Sequence, residues 1–381
     1  MVVSPTLSTL QLGFIVSGRD QPATGSERYY WDLLRTLPSL GVRVHGLVVG
    51  DPSAAERPLA EVESFSPEGG GALDRVRSLR RAVAQHIAAS DVVASHHARH
   101  ALPVLDLIRS RPLVVHFHGP LVREGRAEGV GLRNLLLRRV AESAVYARAD
   151  RFVVLSRANG KTLVEDYGVA ADRVRVVPGA VDLERFGIGG SRAEARRALG
   201  WPLDRPIVVA VRRLAATKGL EALIDAVGEL RRAVPDVLVM LVGSGPLERD
   251  LRARVAERGL AEHVRFAGQI VAALPLAYRA ADLSVVPSQA LEGFGLVVVE
   301  SLACGTPALV TPVTGLPEVV RDLDPALILA GSGPAELAAG LRDALTGRLP
   351  LPDERRCHAY AGRFAWPTVA GLIRDVYREL A

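Results

Sequence analysis

Along this chain, short runs of four to eight apolar residues alternate with longer stretches in which apolar positions recur every three or four residues. Continuous apolar runs suit strands buried on both faces of a parallel sheet, and the 3.6-residue period suits helices that cover it. Residues 12–16, 42–49, 91–94, 113–116 and 152–155 read as strands of a first series. Helices are expected over 27–40, 132–148 and 159–167. A Gly-rich stretch, 187–190, reads as a linker, and a second series starts at Ile207. Its later strands are expected near 237–242, 264–267, 283–286 and 308–310. The last stretch, 366–380, is amphipathic. Alternation of this kind predicts the α/β class with parallel sheets.

The run Leu291-Glu292-Gly293-Phe294-Gly295-Leu296-Val297-Val298-Val299-Glu300 carries the most specific chemistry. It leaves a strand ending at Val286, turns, and opens a helix from about Gly295, with Gly305 as its stop. A strand–turn–helix of this type offers free N–H groups and a positive dipole end to an anion. Small residues let a phosphate approach the backbone. Carboxylates suit hydroxyl groups, so Glu292 and Glu300 on either side point to a sugar nucleotide. A glycosidase acid/base pair fits poorly, because eight helical residues rise about 12 Å whereas such carboxylates sit roughly 5–9.5 Å apart.

Here the chain resembles the retaining glycosyltransferases of family four, which have the GT-B fold. The resemblance implies two facing Rossmann-like domains with parallel sheets and a C-terminal helix that crosses back to the first domain. It places the N-terminal, acceptor-binding domain at 1–185 with 366–381, and the nucleotide-sugar domain at 191–362. It puts Glu292 beside the donor sugar, Glu300 on the ribose hydroxyls, and Gly293, Phe294, Gly295 and Leu296 around sugar and diphosphate.

Of 47 basic side chains only two are lysine, Lys161 and Lys218. A compact ammonium is no substitute for a guanidinium, so a retained lysine in an arginine background suggests a point-charge role. Lys218 lies in Val211-Arg212-Arg213-Leu214-Ala215-Ala216-Thr217-Lys218-Gly219. The family carries Gly-Arg-Leu and then Lys-Gly after this strand, and its Arg and Lys bind the donor diphosphate. They map onto Arg213 and Lys218, while Arg212 replaces the family's Gly.

On the N-terminal side, Thr24-Gly25-Ser26-Glu27 matches a family Gly-Gly loop only at Gly25, a candidate diphosphate contact; Thr24 and Glu27 also form a capping box. His118, before Gly119-Pro120, matches a family histidine at a strand end near donor sugar and acceptor. His96 and Gly119 are candidate acceptor contacts. His96-His97-x-x-His100 would place two histidines on one helix face if helical, but no third ligand is evident for zinc. Asp322-Leu323-Asp324 reads as a surface turn. No metal and no cofactor is expected, since Arg213, Lys218 and a helix N-terminus supply positive charge to a diphosphate.

At 381 residues the chain has room for two domains. No apolar run reaches membrane-spanning length, no secretory leader is evident, and Cys304 and Cys357 read as reduced thiols, so a cytoplasmic protein is expected. A formal charge of +5 suits anionic ligands or peripheral contact with an anionic membrane. Interspersed acidic residues and 5% aromatics argue against nucleic acid. The expected activity is transfer of a sugar, with retention and without metal, from a nucleoside diphosphate sugar (UDP first) to a hydroxyl of a small-molecule or glycolipid acceptor. Aminoglycoside-like natural products and cell-envelope glycoconjugates are the expected settings. The alternatives are a disaccharide phosphorylase or sugar-nucleotide epimerase of the same fold, or a non-catalytic sugar-nucleotide-binding protein.

Overall fold

A first group of strands in the computed structural model is β1 (Leu7–Ile15), β2 (Val42–Val49), β3 (Glu61–Ser66), β4 (Val92–Ser95), β5 (Leu113–Phe117), β6 (Arg151–Val154) and β7 (Val174–Val176). The structure describes residues 6–15, 25–50, 61–66, 71–127 and 129–381. The seven strands form one parallel sheet in the order β3-β2-β1-β4-β5-β6-β7. Every residue of β4 and β5 is buried, as their unbroken apolar runs predict. β1 starts earlier than its apolar run because Thr9 and Gln11 are polar yet fully buried. The edge strand β3 has no apolar run, only Glu-Val-Glu-Ser-Phe-Ser in half-exposed positions.

This sheet belongs to a unit comprising Met1–Gly179 and Trp366–Ala381. The helix Gly25–Thr36 buries Tyr29, Tyr30, Leu33 and Leu34, and a 3-10 turn, Leu37–Leu40, completes the span expected as one helix. The terminal helix Trp366–Arg378 buries Trp366, Val369, Ile373 and Tyr377, so that amphipathic face is part of the first unit.

The second unit, Ala180–Ala365, holds β8 (Ile207–Val211), β9 (Leu238–Val242), β10 (Val264–Gly268), β11 (Leu283–Val286) and β12 (Ala308–Val310). Their order is β10-β9-β8-β11-β12, all parallel. The chain enters this unit at Ala180, ahead of the Gly187–Gly190 stretch. Val181 bridges to Ala365, and the Phe186 ring lies 6.3 Å from the Tyr278 ring, which ties residues 180–186 to the second unit.

In each sheet the first strand has neighbours on both sides: β1 between β2 and β4, and β8 between β9 and β11. The direction of winding reverses there. The loops leaving the carboxyl ends of the strands then diverge, and open parallel sheets bind ligands in that crevice.

Candidate functional site

At the switch point of the second sheet, the loops after β8 and β11 bring three charges together. Arg212 follows β8 directly and is buried. Its Nη2 donates to Ser288 Oγ and Glu292 Oε1. Lys218 Nζ donates to the same Glu292 oxygen, and Ser288 Oγ donates to it at 3.2 Å. Burial alone would raise the Glu292 carboxyl, but the Arg212 guanidinium and the Lys218 ammonium outweigh it and hold the group below the usual carboxylate range. Two cations share one buried anion, so the cluster carries a net positive charge.

The backbone fixes this geometry. Glu292 N–H donates to Thr314 Oγ1 at 3.0 Å, and that hydroxyl donates to Glu292 O at 2.6 Å. Leu291 and Thr314 adopt φ of 56° and 43°, left-handed values that cost non-glycine residues energy and concentrate at functional sites. Gly219 has φ of 70°, and a Cβ there would lie 1.8 Å from Pro287 O. At Gly219 the β8 loop therefore meets the β11 loop backbone to backbone, and Gln289 N–H donates to Thr217 O at 2.9 Å.

Gly295, with φ of 95°, caps the helix Leu296–Ala303. A Cβ on it would lie 2.5 Å from Leu316 Cδ2, so only glycine allows the chain to turn this closely into the helix. Phe294 is buried against Phe364, ring centroids 5.7 Å apart, and Gly293 is half-buried before it. The amides of Gly295 and Leu296 begin this helix, where an anion is favoured. Glu300 is buried on the same helix and accepts from Tyr278 Oη–H at 3.0 Å.

Arg213, the arginine matched to the family motif, is exposed at the end of β8. The structure brings Arg212, Lys218 and Glu292 together and leaves Arg213 on the rim. Sequence reasoning passed over Gly243-Ser244-Gly245, which follows β9. A Cβ on Gly243 would lie 2.0 Å from Arg212 O, and one on Gly245 2.4 Å from Leu214 O. Leu214 N–H donates to Ser244 O at 2.9 Å, so this loop braces the arginine pair from behind. Gly-x-Gly directly after an apolar strand was the available signal.

In the first unit, five histidines gather after β4 and on and after β5. His96 Nε2 meets Gln11 Oε1 at 3.1 Å, and His116 Nε2 meets Tyr377 Oη at 2.7 Å. The two rings stack with centroids 4.3 Å apart. His118 packs edge-on to Tyr29 at 5.2 Å and lies 5.5 Å from His97. Burial depresses all five imidazoles, with mutual repulsion adding for His96, His97, His100 and His116. His118 falls to about 4 and His100 to about 3. At neutral pH the cluster is uncharged.

The helix after β4 covers only Ala98–Ala101. His96 precedes it, so His96 and His100 do not share a helix face, and His96 is instead spent on Gln11. Gly119 is buried with φ of 155° at the end of β5. Gly25 opens its helix, and Thr24 lies outside the described residues. Lys161 makes an exposed i,i+4 pair with Glu165 at 3.6 Å, an ordinary surface contact. Asp322 pairs with Arg363 at 3.2 Å and Asp324 caps a 3-10 turn, as expected for a surface turn.

Comparison with known proteins supplies the context. Residues 191–363 match the model of "Glycosyl transferases group 1", and residues 23–185 match that of "Glycosyltransferase Family 4". A D-inositol 3-phosphate glycosyltransferase of Acidothermus cellulolyticus is 38% identical over 250 residues, covering 63% of this chain and 55% of that relative. The matched part thus spans little more than half of the curated relative. Sucrose-phosphate synthase of Thermosynechococcus elongatus superposes with a TM-score of 0.79 at 23% identity over 98% of both chains. Anabaena HepE, solved in complex with UDP-glucose, gives the same score and identity over 98% of this chain and 100% of its own.

Proposed function

Since the chain belongs to glycosyltransferase family 4 and has the GT-B fold, we propose that it transfers a sugar from a nucleoside diphosphate sugar to an acceptor hydroxyl. The observation that carries this reading is the Arg212–Lys218–Glu292 cluster at the switch point of the second sheet, beside the N-terminus of the Leu296–Ala303 helix. It is a net-positive cluster with a buried carboxylate at its centre. That combination suits a ligand whose diphosphate and sugar hydroxyls lie side by side.

In the proposed reaction the bond between the anomeric carbon and the diphosphate oxygen breaks, and negative charge develops on the leaving group. Lys218, Arg213 on the rim and the amides of Gly295 and Leu296 stabilise that charge. Arg212 holds Glu292 in place, and Glu292 orients donor hydroxyls and offsets positive charge at the anomeric carbon. Glu300 takes the ribose hydroxyls. His118, neutral because of its burial, can offer a ligand of the first unit a hydrogen bond rather than a charge.

The acceptor hydroxyl gives its proton to the departing phosphate oxygen on the same face of the sugar, so configuration is retained. Because protein cations supply the positive charge, the reaction needs no metal ion. UDP is the nucleotide to test first, since a protein of this fold has been solved with UDP-glucose. The names of the curated relatives make a polyol phosphate the first acceptor class to try.

Lys218→Ala is the direct test. Its side chain is partly exposed and its partner keeps Arg212 and Ser288, so the fold should survive. Transfer should fall by roughly 10²–10³-fold, the loss typical of removing one preorganised stabiliser of developing charge. A rate within a few-fold of the parent chain would refute the assignment.

A further inference from the structure

The edge of the first sheet holds a second cluster, apart from the histidines that follow β4 and β5. His45 on β2, Glu63 on β3 and His86 at the end of the helix Ala72–His86 each offer one ligand-type atom, and these atoms lie within 4.8 Å of one another. His86 Nε2 lies 2.9 Å from Glu63 Oε2, and His45 Nε2 lies 3.5 Å from the same oxygen. The two imidazoles stack with centroids 3.6 Å apart and planes 23° apart. His45 Nδ1 faces Glu61 Oε2 at 3.4 Å.

The tautomers decide what this arrangement suits. With its proton on Nδ1, facing Glu61, His45 turns the Nε2 lone pair toward Glu63. His45 Nε2 is buried and has no hydrogen-bond partner. A lone pair and a carboxylate oxygen at 3.5 Å repel unless a proton or a metal ion lies between them. Protonating both rings would set two imidazolium ions face to face at stacking distance. One divalent ion satisfies both nitrogens and the carboxylate together.

The spacing agrees with this. Metal–ligand bonds of 2.0–2.2 Å in a tetrahedron put donor atoms about 3.3–3.5 Å apart. The observed separations from Glu63 Oε2, 2.9 Å (a hydrogen bond to His86) and 3.5 Å, lie near that edge, and the two rings would have to slide apart from their 3.6 Å stack for both nitrogens to face one ion. Glu61 behind His45 is the carboxylate–histidine support that metal-bound imidazoles ordinarily have.

We propose that His45, Glu63 and His86 form a Zn²⁺ site with an open fourth position, which clips the edge strand β3 to β2 and to the end of the helix. Two imidazoles and one carboxylate favour zinc and its neighbours over magnesium or calcium. The ion would act on the stability of the sheet edge. It has no part in the sugar-transfer chemistry.

The test uses the full chain, stripped with chelator and titrated with Zn²⁺ alone and with Co²⁺ as a spectroscopic reporter. One ion per chain should bind at micromolar concentration, Zn²⁺ should raise Tm, and Co²⁺ should show the ligand-field bands of a low-coordinate nitrogen–oxygen site. The double variant His45→Ala/His86→Ala should lose both uptake and the Tm shift. Glu61→Gln, which leaves all three ligands in place, should weaken binding by about 10–100-fold and serves if the double variant fails to fold. Binding only at millimolar metal overturns the proposal, as does uptake that Glu61→Gln leaves unchanged.

Discussion

His96 and His116 are fully buried at 0% and 1% exposure, and burial holds both imidazoles well below their ordinary range. In the unfolded chain each would take up a proton near pH 6.5. As pH falls through that value the unfolded state gains protons that the folded state refuses, so stability declines with pH. It keeps declining until the folded pKa values are reached. Each histidine contributes a slope of about 1.4 kcal/mol per pH unit below 6.5. Between pH 8 and pH 5, His118 and His100, held to about 4 and about 3, therefore cost roughly 4 kcal/mol together, against total domain stabilities of about 5–15 kcal/mol. His96, His97 and His116 are depressed too and push in the same direction. Trp31 and Trp366 report on the first unit, and Trp201 on the second. Urea unfolding of a Trp201→Phe variant, followed by tryptophan fluorescence at pH 8, 6.5 and 5, isolates the first unit. Its midpoint should drop by roughly 1–2 M over that range, with most of the fall below pH 6.5. A midpoint that stays level from pH 8 to pH 5 would refute the neutral, proton-refusing cluster.

Two substitutions probe the second unit. Glu292→Gln removes the anion that neutralises Arg212 and Lys218; it should lower Tm, since buried charges lose their partner, yet tighten binding of free UDP while transfer collapses. Calorimetry against UDP and a progress assay separate the two effects, and weaker UDP binding would contradict the reasoning. Gly219→Ala places a Cβ against Pro287 O in a left-handed conformation, so it should misplace the neighbouring Lys218 and cost both Tm and transfer. Parent-like activity in that variant would show that the contact between the loops is dispensable.

The strands were legible wherever burial on both faces demands an unbroken apolar run. β2, β11 and β12 have the limits that their runs predict. β3 was not legible, because an edge strand with one wet face can be written in Glu and Ser. β7 is three residues long and has no buried residue, so no pattern marks it. Glu292, Glu300 and Lys218 stand out because their spacing or rarity departs from the background. Arg212 does not, since its role depends on Glu292, 80 positions away, which only the sheet order brings near. The same is true of His45, Glu63 and His86, whose convergence depends on the pairing of β2 with β3.

In the proposed reaction a nucleoside diphosphate sugar binds at the charged switch point of the second sheet and is activated there by protein cations. Incubating the purified chain with UDP-, GDP-, ADP- and TDP-sugars in chelator, and measuring nucleoside diphosphate release, tests it most directly. Slow hydrolysis of one donor is expected, unaffected by chelator and abolished in Lys218→Ala. Silence across the panel that magnesium restores would contradict it.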